Sequence, residues 1–188
     1  MYETSDFKKG LKIMLEGKPY VIVDFQHVKP GKGNQFTRTK LRNMLTAQNL
    51  ELTFKSGEKF EVPNVENKEM NFLYKDDSGY NFMQPETFEQ ITMNDEDLGE
   101  SRFFLTENLK VVVLFYNEKA VAVDVPKAVN LKVAKSDPGI KGDRVSGATK
   151  PATMETGLVV AVPLHINEGD VLRIDTESGD YVERVNQK

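Results

Sequence analysis

The sequence contains no cysteine and only two histidines, His27 and His165, among its 188 residues. Without thiols there can be no disulfide framework and no thiolate ligand for a metal. Two histidines from separate parts of the chain do not complete a structural zinc site. We therefore expect no metal and no other cofactor.

Long hydrophobic runs are also missing. No segment reaches the ~20 consecutive apolar residues that a membrane-spanning helix needs. The first residues lack the basic-then-apolar layout of a signal peptide. Hydrophobic residues make up 39% and charged residues 29%, as in globular proteins. The sequence predicts a cytoplasmic protein that is not attached to a membrane.

Catalytic motifs are absent as well. The chain has no G-x-S-x-G elbow, no cysteine nucleophile and no carboxylate pair distinguished by its spacing. A phosphate-binding loop is excluded because the nearest match, residues 142–150, has Ala148-Thr149 where that motif requires lysine followed by serine or threonine, so the lysine is missing. We therefore expect a protein that is not an enzyme.

Charge is distributed unevenly along the chain, whose formal net charge is -4. Residues 1–64 hold 11 basic and 7 acidic side chains, residues 65–128 hold 6 and 13, and residues 129–188 hold 8 and 9. Because phosphate binding depends on local charge, the first third is the part best suited to a nucleic acid. The acidic middle third repels one.

Apolar runs of strand length, separated by turn residues, recur through the whole sequence. This spacing predicts an all-β protein with little helix, apart from residues 95–105 and a shorter helical turn near residues 85–90. Changes in composition divide the chain into residues 1–64, 65–128 and 129–188. The first segment suggests an SH3-like barrel, and the size of the other two is compatible with OB-folds.

Residues 28–42 carry five basic side chains and no acidic one. Turn-forming residues lie between two predicted strands there and place Lys32 at a hairpin tip with a glycine on each side. The tip loop comprises Lys29, Pro30, Gly31, Lys32, Gly33 and Asn34. A cationic tip with small neighbours can approach a partner closely. The simpler alternative is a solvated turn.

Arg38, Lys40 and Arg42 follow the tip at every second position. The two-residue period of a strand puts these three cations on one face. This basic stripe is a candidate RNA-binding surface. It is equally what a solvated edge strand uses to discourage aggregation.

Residues 29–41 resemble the tip-loop hairpin of the bacterial elongation factor P family. Residues 150–170 are similar to the C-terminal signature of that family, a lysine, an alanine and a glycine followed by an apolar run, Val-Pro and Glu-Gly. The likeness extends over the whole chain, with one departure at His165, where phenylalanine is expected. The residues alone favour a buried neutral histidine there.

The resemblance implies an N-terminal SH3/KOW-like barrel followed by two OB-folds, arranged as an L-shaped tRNA mimic. It implies a monomer that binds the 70S ribosome between the P and E sites and relieves stalling at consecutive prolines. Lys32 would reach the CCA end of the P-site peptidyl-tRNA. The matching lysine is commonly lengthened by a modifying enzyme.

Further contacts also follow from the resemblance. Gly142, Asp143 and Arg144 would approach RNA near the E-site mRNA codon, and the candidates for rRNA or tRNA contact include Lys150. The acidic middle segment would face ribosomal protein L1, or else serve only as a solubility surface. The rival function that OB-folds make plausible is single-stranded RNA binding off the ribosome.

Overall fold

The computed structural model describes residues 1–139 and 147–185, and most of its regular elements are β-strands. The helical structure described is one short α-helix, α1 (Asp95–Leu98), and two 3-10 segments, Thr4–Asp6 and Gly99–Phe104. The all-β prediction and the helical stretch predicted near residues 95–105 are confirmed.

The N-terminal part is a small antiparallel β-structure. Its strands are β1 (Tyr2–Glu3), β2 (Lys12–Leu15), β3 (Lys18–Val28), β4 (Phe36–Asn43), β5 (Asn49–Lys55) and β6 (Lys59–Phe60). Four of them form a sheet in the order β2-β3-β4-β5, and β1 pairs with β6. The ring of Phe7 packs edge-on against that of Phe54, with 6.0 Å between the centroids, and its centroid lies 5.5 Å from that of Phe60. Aromatic rings therefore fill much of this core.

The middle part is a five-stranded sheet in the order β11-β10-β7-β8-β9. Its strands are β7 (Val65–Asp76), β8 (Gly79–Met83), β9 (Gln90–Met93), β10 (Lys110–Tyr116) and β11 (Lys119–Asp124). In β10, Val111, Val113 and Phe115 alternate with less buried residues, which is why this segment forms a strand with one core face.

The C-terminal part has the order β14-β13-β12-β15-β16. Its strands are β12 (Ala128–Ser136), β13 (Thr149–Met154), β14 (Val159–Pro163), β15 (Val171–Asp175) and β16 (Tyr181–Val185). Counted from the first strand of each part, the middle and C-terminal sheets share one strand order, although the sequence shows no repeat between them.

The chain folds into two compact units. One unit comprises residues 1–66 and 116–118, and the other comprises residues 67–115 and 119–188. The second unit holds both later sheets and two buried clusters. Phe104, in the 3-10 segment that follows α1, is buried in the cluster of the C-terminal sheet, and Thr156 donates a hydrogen bond to the Phe103 carbonyl at 2.6 Å.

Several local predictions were wrong. The helical turn predicted at residues 85–90 is a non-helical turn followed by β9, which pairs with β8. Strand β13 was missed, since it contains Pro151, and proline is uncommon inside sheets. His165 is exposed rather than buried, because the next residue, Ile166, occupies the core.

A candidate RNA-binding hairpin

The predicted tip loop joins the two long strands β3 and β4. Val28 and Phe36 are the last paired residues, so the loop comprises residues 29–35. The antiparallel β3–β4 pairing below it continues from Val28 down to Tyr20, with one register shift between Ile22 and Asp24, and anchors the loop on the four-stranded sheet. Residues 29–35 are all exposed. The structure therefore presents the whole loop to solvent.

Lys32 lies at the middle of this loop. Gly33 has φ +118°, a conformation that L side chains rarely adopt, which explains the need for glycine on that side of the lysine. A Cβ atom at Gly31 would meet nothing within 4 Å, so the space beside the lysine is open on the other side. Among the described residues, none of the ion pairs found involves Lys32. Its ammonium is available to a partner.

Strand β4 separates the basic stripe from the core as the alternation predicts. Thr37, Thr39, Leu41 and Asn43 are buried, and the residues between them are exposed. Arg38, Lys40 and Arg42 therefore lie on the solvent face of the sheet. The predicted placement of these three cations on one face is confirmed; their contact with RNA stays a prediction.

The three cations of the stripe have different neighbours across the sheet. Lys40 lies directly opposite Asp24 on β3 and Glu51 on β5. Directly opposite residues have Cβ atoms about 5 Å apart, so the Lys40 charge has a carboxylate on each side. Arg38 faces Gln26 and Thr53, and Arg42 faces Val21 and Asn49. Only Lys40 is compensated by both flanking strands.

Asp24 forms an ion pair with a different cation, Lys9. Lys9 Nζ lies 3.2 Å from Asp24 Oδ1. This hydrogen bond, with the Phe25 N–H and the charges of Lys9 and Lys40, keeps the pKa of the Asp24 carboxyl below its usual value. Asp24 is therefore ionised near neutral pH and reduces the positive potential at the centre of the stripe.

A cleft that the sequence did not predict lies at the base of the tip loop. Phe36, half-buried at the start of β4, lines it together with Asn34, Gln35, Thr53, Lys55 and Ser56. The Arg38 guanidinium carbon lies 5.9 Å from the Phe36 ring centroid. The sequence carries one signal for this cleft, Phe36 two positions before Arg38. Lys55, which is directly opposite Phe36 on β5, could be identified only from the strand pairing.

The other RNA-contacting candidates are in the C-terminal part. Gly142, Asp143 and Arg144 lie outside the described residues. Lys150 is 8% exposed, and its ammonium donates a hydrogen bond to the Asp137 carbonyl at 2.7 Å. This lysine holds Asp137, the first residue after β12, and offers little surface to RNA.

The described residues also bear on two other classes of site. Residues 1–139 and 147–185 contain no group of three or more histidine or acidic side chains placed to hold a metal ion. Within the same ranges, no helix has the length and apolar character required to cross a membrane.

Comparison with known proteins gives consistent matches over the full chain. Family models match in order, as elongation factor P KOW-like domain over residues 3–60, elongation factor P OB domain over 65–123 and elongation factor P, C-terminal, over 129–184. The KOW-like prediction for the first domain and the OB prediction for the second are thereby confirmed.

Curated relatives cover nearly the whole sequence. Elongation factor P of Bdellovibrio bacteriovorus is 86% identical over 188 residues, which is 100% of both chains. Elongation factor P of Pelotomaculum thermopropionicum is 50% identical over 98% of this chain and 100% of the relative. That of Wolinella succinogenes is 48% identical over 98% of each.

A solved structure of a translation initiation factor eif-5a family protein from Naegleria fowleri aligns with a TM-score of 0.51 and 18% identity. It covers 66% of this chain and 96% of its own. This likeness supports the fold alone. The matches over all three domains and the identity of 86% show that the chain belongs to the bacterial elongation factor P family, a family of translation elongation factors.

Proposed function

We propose that this translation factor binds the 70S ribosome between the P and E sites and stimulates peptide-bond formation where consecutive prolines stall synthesis. Lys32 would act beside the CCA end of the P-site peptidyl-tRNA. The observation that carries this proposal is the position of Lys32, at the middle of an exposed seven-residue loop that joins the paired strands β3 and β4. A small neighbour on each side lets the lysine approach a crowded RNA site.

Positioning alone is enough for this activity. The proline ring fixes one backbone dihedral, so proline has less freedom to reach the geometry required for peptide-bond formation. Holding reacting groups in alignment lowers such a barrier without a new nucleophile or base. A charged side chain that orients the tRNA end supplies this effect, and we propose that the protein is not an enzyme.

A lysine-modifying enzyme is part of the proposal. The Lys32 ammonium is exposed, and the adjacent glycines leave space for another protein to reach it. A group added to the ammonium would extend the reach of the tip toward the tRNA end. Charge at the end of this extension would be screened less inside the ribosome than in water.

The proposal also assigns ribosomal contacts to the middle and C-terminal domains. We also propose an L-shaped, tRNA-sized arrangement of the domains, in which residues 142–144 would lie near the E-site codon and the acidic middle domain would face the basic ribosomal protein L1. The 13 acidic and 6 basic side chains of residues 65–128 support a basic protein rather than RNA as the neighbour of that domain. We propose a monomeric, cytoplasmic factor.

The test is tripeptide synthesis through a Pro-Pro-Pro codon run in a reconstituted translation system from the source organism. Protein purified from its own host should restore synthesis, and Lys32→Ala should lose most of that rescue. Lys18→Ala is the matched control, because Lys18 is an exposed lysine at the opposite end of β3. Full rescue by Lys32→Ala would contradict the tip-lysine mechanism.

The rival function has a separate outcome in the same system. A protein that gives no rescue and does not bind 70S ribosomes, yet binds free single-stranded RNA, would be an RNA-binding protein that acts off the ribosome.

A further inference from the structure

The cleft at the base of the tip loop has the composition of a nucleotide-binding site. It measures about 530 Å³, within the range of small-ligand clefts. Phe36 provides a flat apolar surface, and Asn34 and Gln35 carry amides that both donate and accept hydrogen bonds. None of the six residues that line the cleft is acidic.

Two cations lie beside the Phe36 ring. Lys55 is its direct partner across the β4–β5 pair, and the Arg38 guanidinium carbon lies 5.9 Å from the ring centroid. Arg38 and Phe36 are two residues apart on one strand and therefore share a face. The guanidinium lies over the ring, so a base can stack on the guanidinium plane and on the ring surface that the arginine leaves open.

The amide groups of the cleft are free to act on a ligand. Gln35 uses its backbone carbonyl to accept a hydrogen bond from the Ser56 N–H at 3.1 Å, which fixes the wall of the cleft. The side-chain amides of Asn34 and Gln35 make none of the side-chain hydrogen bonds found within residues 1–139 and 147–185. Both residues are exposed.

We propose that this cleft binds one unpaired RNA nucleotide. The base would stack on Phe36 and Arg38, Lys55 would contact a phosphate, and the amides of Asn34 and Gln35 would hydrogen-bond the base edge. This inference deepens the proposed function, because it assigns a second RNA contact beside the lysine tip. Aromatic rings with cationic neighbours are the common means of holding single-stranded RNA.

The alternative is that Phe36 serves only to close the end of the sheet. Phe36→Leu separates the two roles, because leucine keeps an apolar side chain but has no aromatic face. Phe36→Tyr keeps the face and is the conservative control. Phe88→Leu removes an exposed phenylalanine from the middle domain and controls for general effects.

The first measurement is affinity for 70S ribosomes that carry a P-site tRNA. Phe36→Leu should bind at least about five-fold more weakly, since stacking contributes roughly 1 kcal/mol or more per base and 1.4 kcal/mol is tenfold in affinity. Phe36→Tyr and Phe88→Leu should stay within about two-fold of the parent. Unchanged affinity of Phe36→Leu would overturn the proposal.

The second measurement uses free RNA, a short hairpin with a single-stranded tail that contains 2-aminopurine, whose fluorescence falls on stacking. The parent and Phe36→Tyr should quench it, and Phe36→Leu should not. Equal quenching by all three would overturn the cleft assignment. Quenching by a parent that fails to bind ribosomes would contradict the proposed function and leave the cleft assignment standing.

The third measurement identifies the source of the nucleotide. A photoreactive p-benzoylphenylalanine at position 36 should form cross-links to RNA in the ribosome complex, and sequencing of the adduct distinguishes tRNA from rRNA. Either RNA supports the cleft. Cross-links to ribosomal protein alone would overturn it.

Discussion

At the scale of single residues, the middle sheet depends on Gly79. Gly79 follows the two-residue turn between β7 and β8 and has φ +132°. A Cβ atom built there would overlap the backbone carbonyl of Met93 on the neighbouring strand β9. The positive φ was predictable from the turn sequence, whereas the close approach of Met93 was not, because it comes from strand pairing.

Gly79→Ala should therefore lower the free energy of unfolding by about 2–4 kcal/mol, the combined cost of a left-handed backbone and an overpacked contact. Urea denaturation measures this loss. Gly10→Ala is the control, because Gly10 has φ +86° but open space around it, and only the backbone cost of about 1–2 kcal/mol applies. Equal losses in the two variants would contradict the proposed overlap.

The ion pair between Lys9 and Asp24 makes a prediction about pH. The folded-state pKa of Asp24 is lowered, chiefly by Lys9, so its stabilising contribution is present above the unfolded pKa and is lost as the pH falls through the folded pKa. Lys9→Met should raise the Asp24 pKa toward its usual value and reduce that contribution.

Carboxyl ¹³C titration by NMR measures the Asp24 pKa directly. The control is Asp175, whose pKa is lowered mainly by the Ser178 backbone N–H and should not move in Lys9→Met. An unchanged Asp24 titration in this variant would show that Lys9 is not the cause.

At the scale of elements, the basic stripe on β4 is three unequal positions rather than a uniform band. Lys40 has carboxylates on both neighbouring strands, and Arg38 and Arg42 have neutral neighbours. Positive potential should therefore be greatest at the two ends of the stripe. Alternation along β4 predicted the shared face, but the charges opposite each cation depend on how β3 and β5 align with it.

The salt dependence of ribosome binding tests this division. Arg38→Gln and Arg42→Gln should each reduce the slope of log affinity against log potassium concentration by about 0.7–0.9, the value for one lost phosphate contact. Lys40→Gln should change the slope clearly less. The measurement is affinity for 70S ribosomes with P-site tRNA between about 50 and 200 mM KCl, the range over which such contacts lose affinity.

The carboxylates provide the reciprocal control. Asp24→Asn combined with Glu51→Gln should tighten binding and steepen the slope, because Lys40 would then carry an uncompensated charge. A slope that falls equally for all three cations, with no gain in the double variant, would show that the stripe acts as one uniform band.

At the scale of the whole molecule, the two later sheets belong to one compact unit. Phe104 follows α1, which lies between β9 and β10 of the middle part, but is 6% exposed, within the core of the C-terminal sheet. Leu109 and Val125 pack against both buried clusters. Thr176 adds a hydrogen bond of 2.6 Å to the Pro126 carbonyl.

Phe104→Ala should consequently lower the unfolding free energy of this unit by about 3–5 kcal/mol, as for other buried phenylalanines. Thr156→Val, which removes only the hydrogen bond to Phe103, should cost about 0.5–1.5 kcal/mol. Thermal and urea denaturation of the full chain measure both effects. Phe88→Ala, at a side chain that is 70% exposed, should change stability by less than about 0.5 kcal/mol. If Phe104→Ala also changed stability by less than about 0.5 kcal/mol, its role in the core of the C-terminal sheet would be contradicted.

The sequence by itself determined the β-class, the exposed lysine loop and the face of the basic stripe. These features depend on residues close in the chain, namely turn formers around Lys32 and the two-residue period of β4. Only the tertiary structure determined that carboxylates lie on both sides of Lys40, that Phe36 and Lys55 line one cleft, and that Phe104 is buried. The physical reason is that register between strands and packing between sheets bring together residues far apart in sequence, and the local sequence pattern does not specify those pairings.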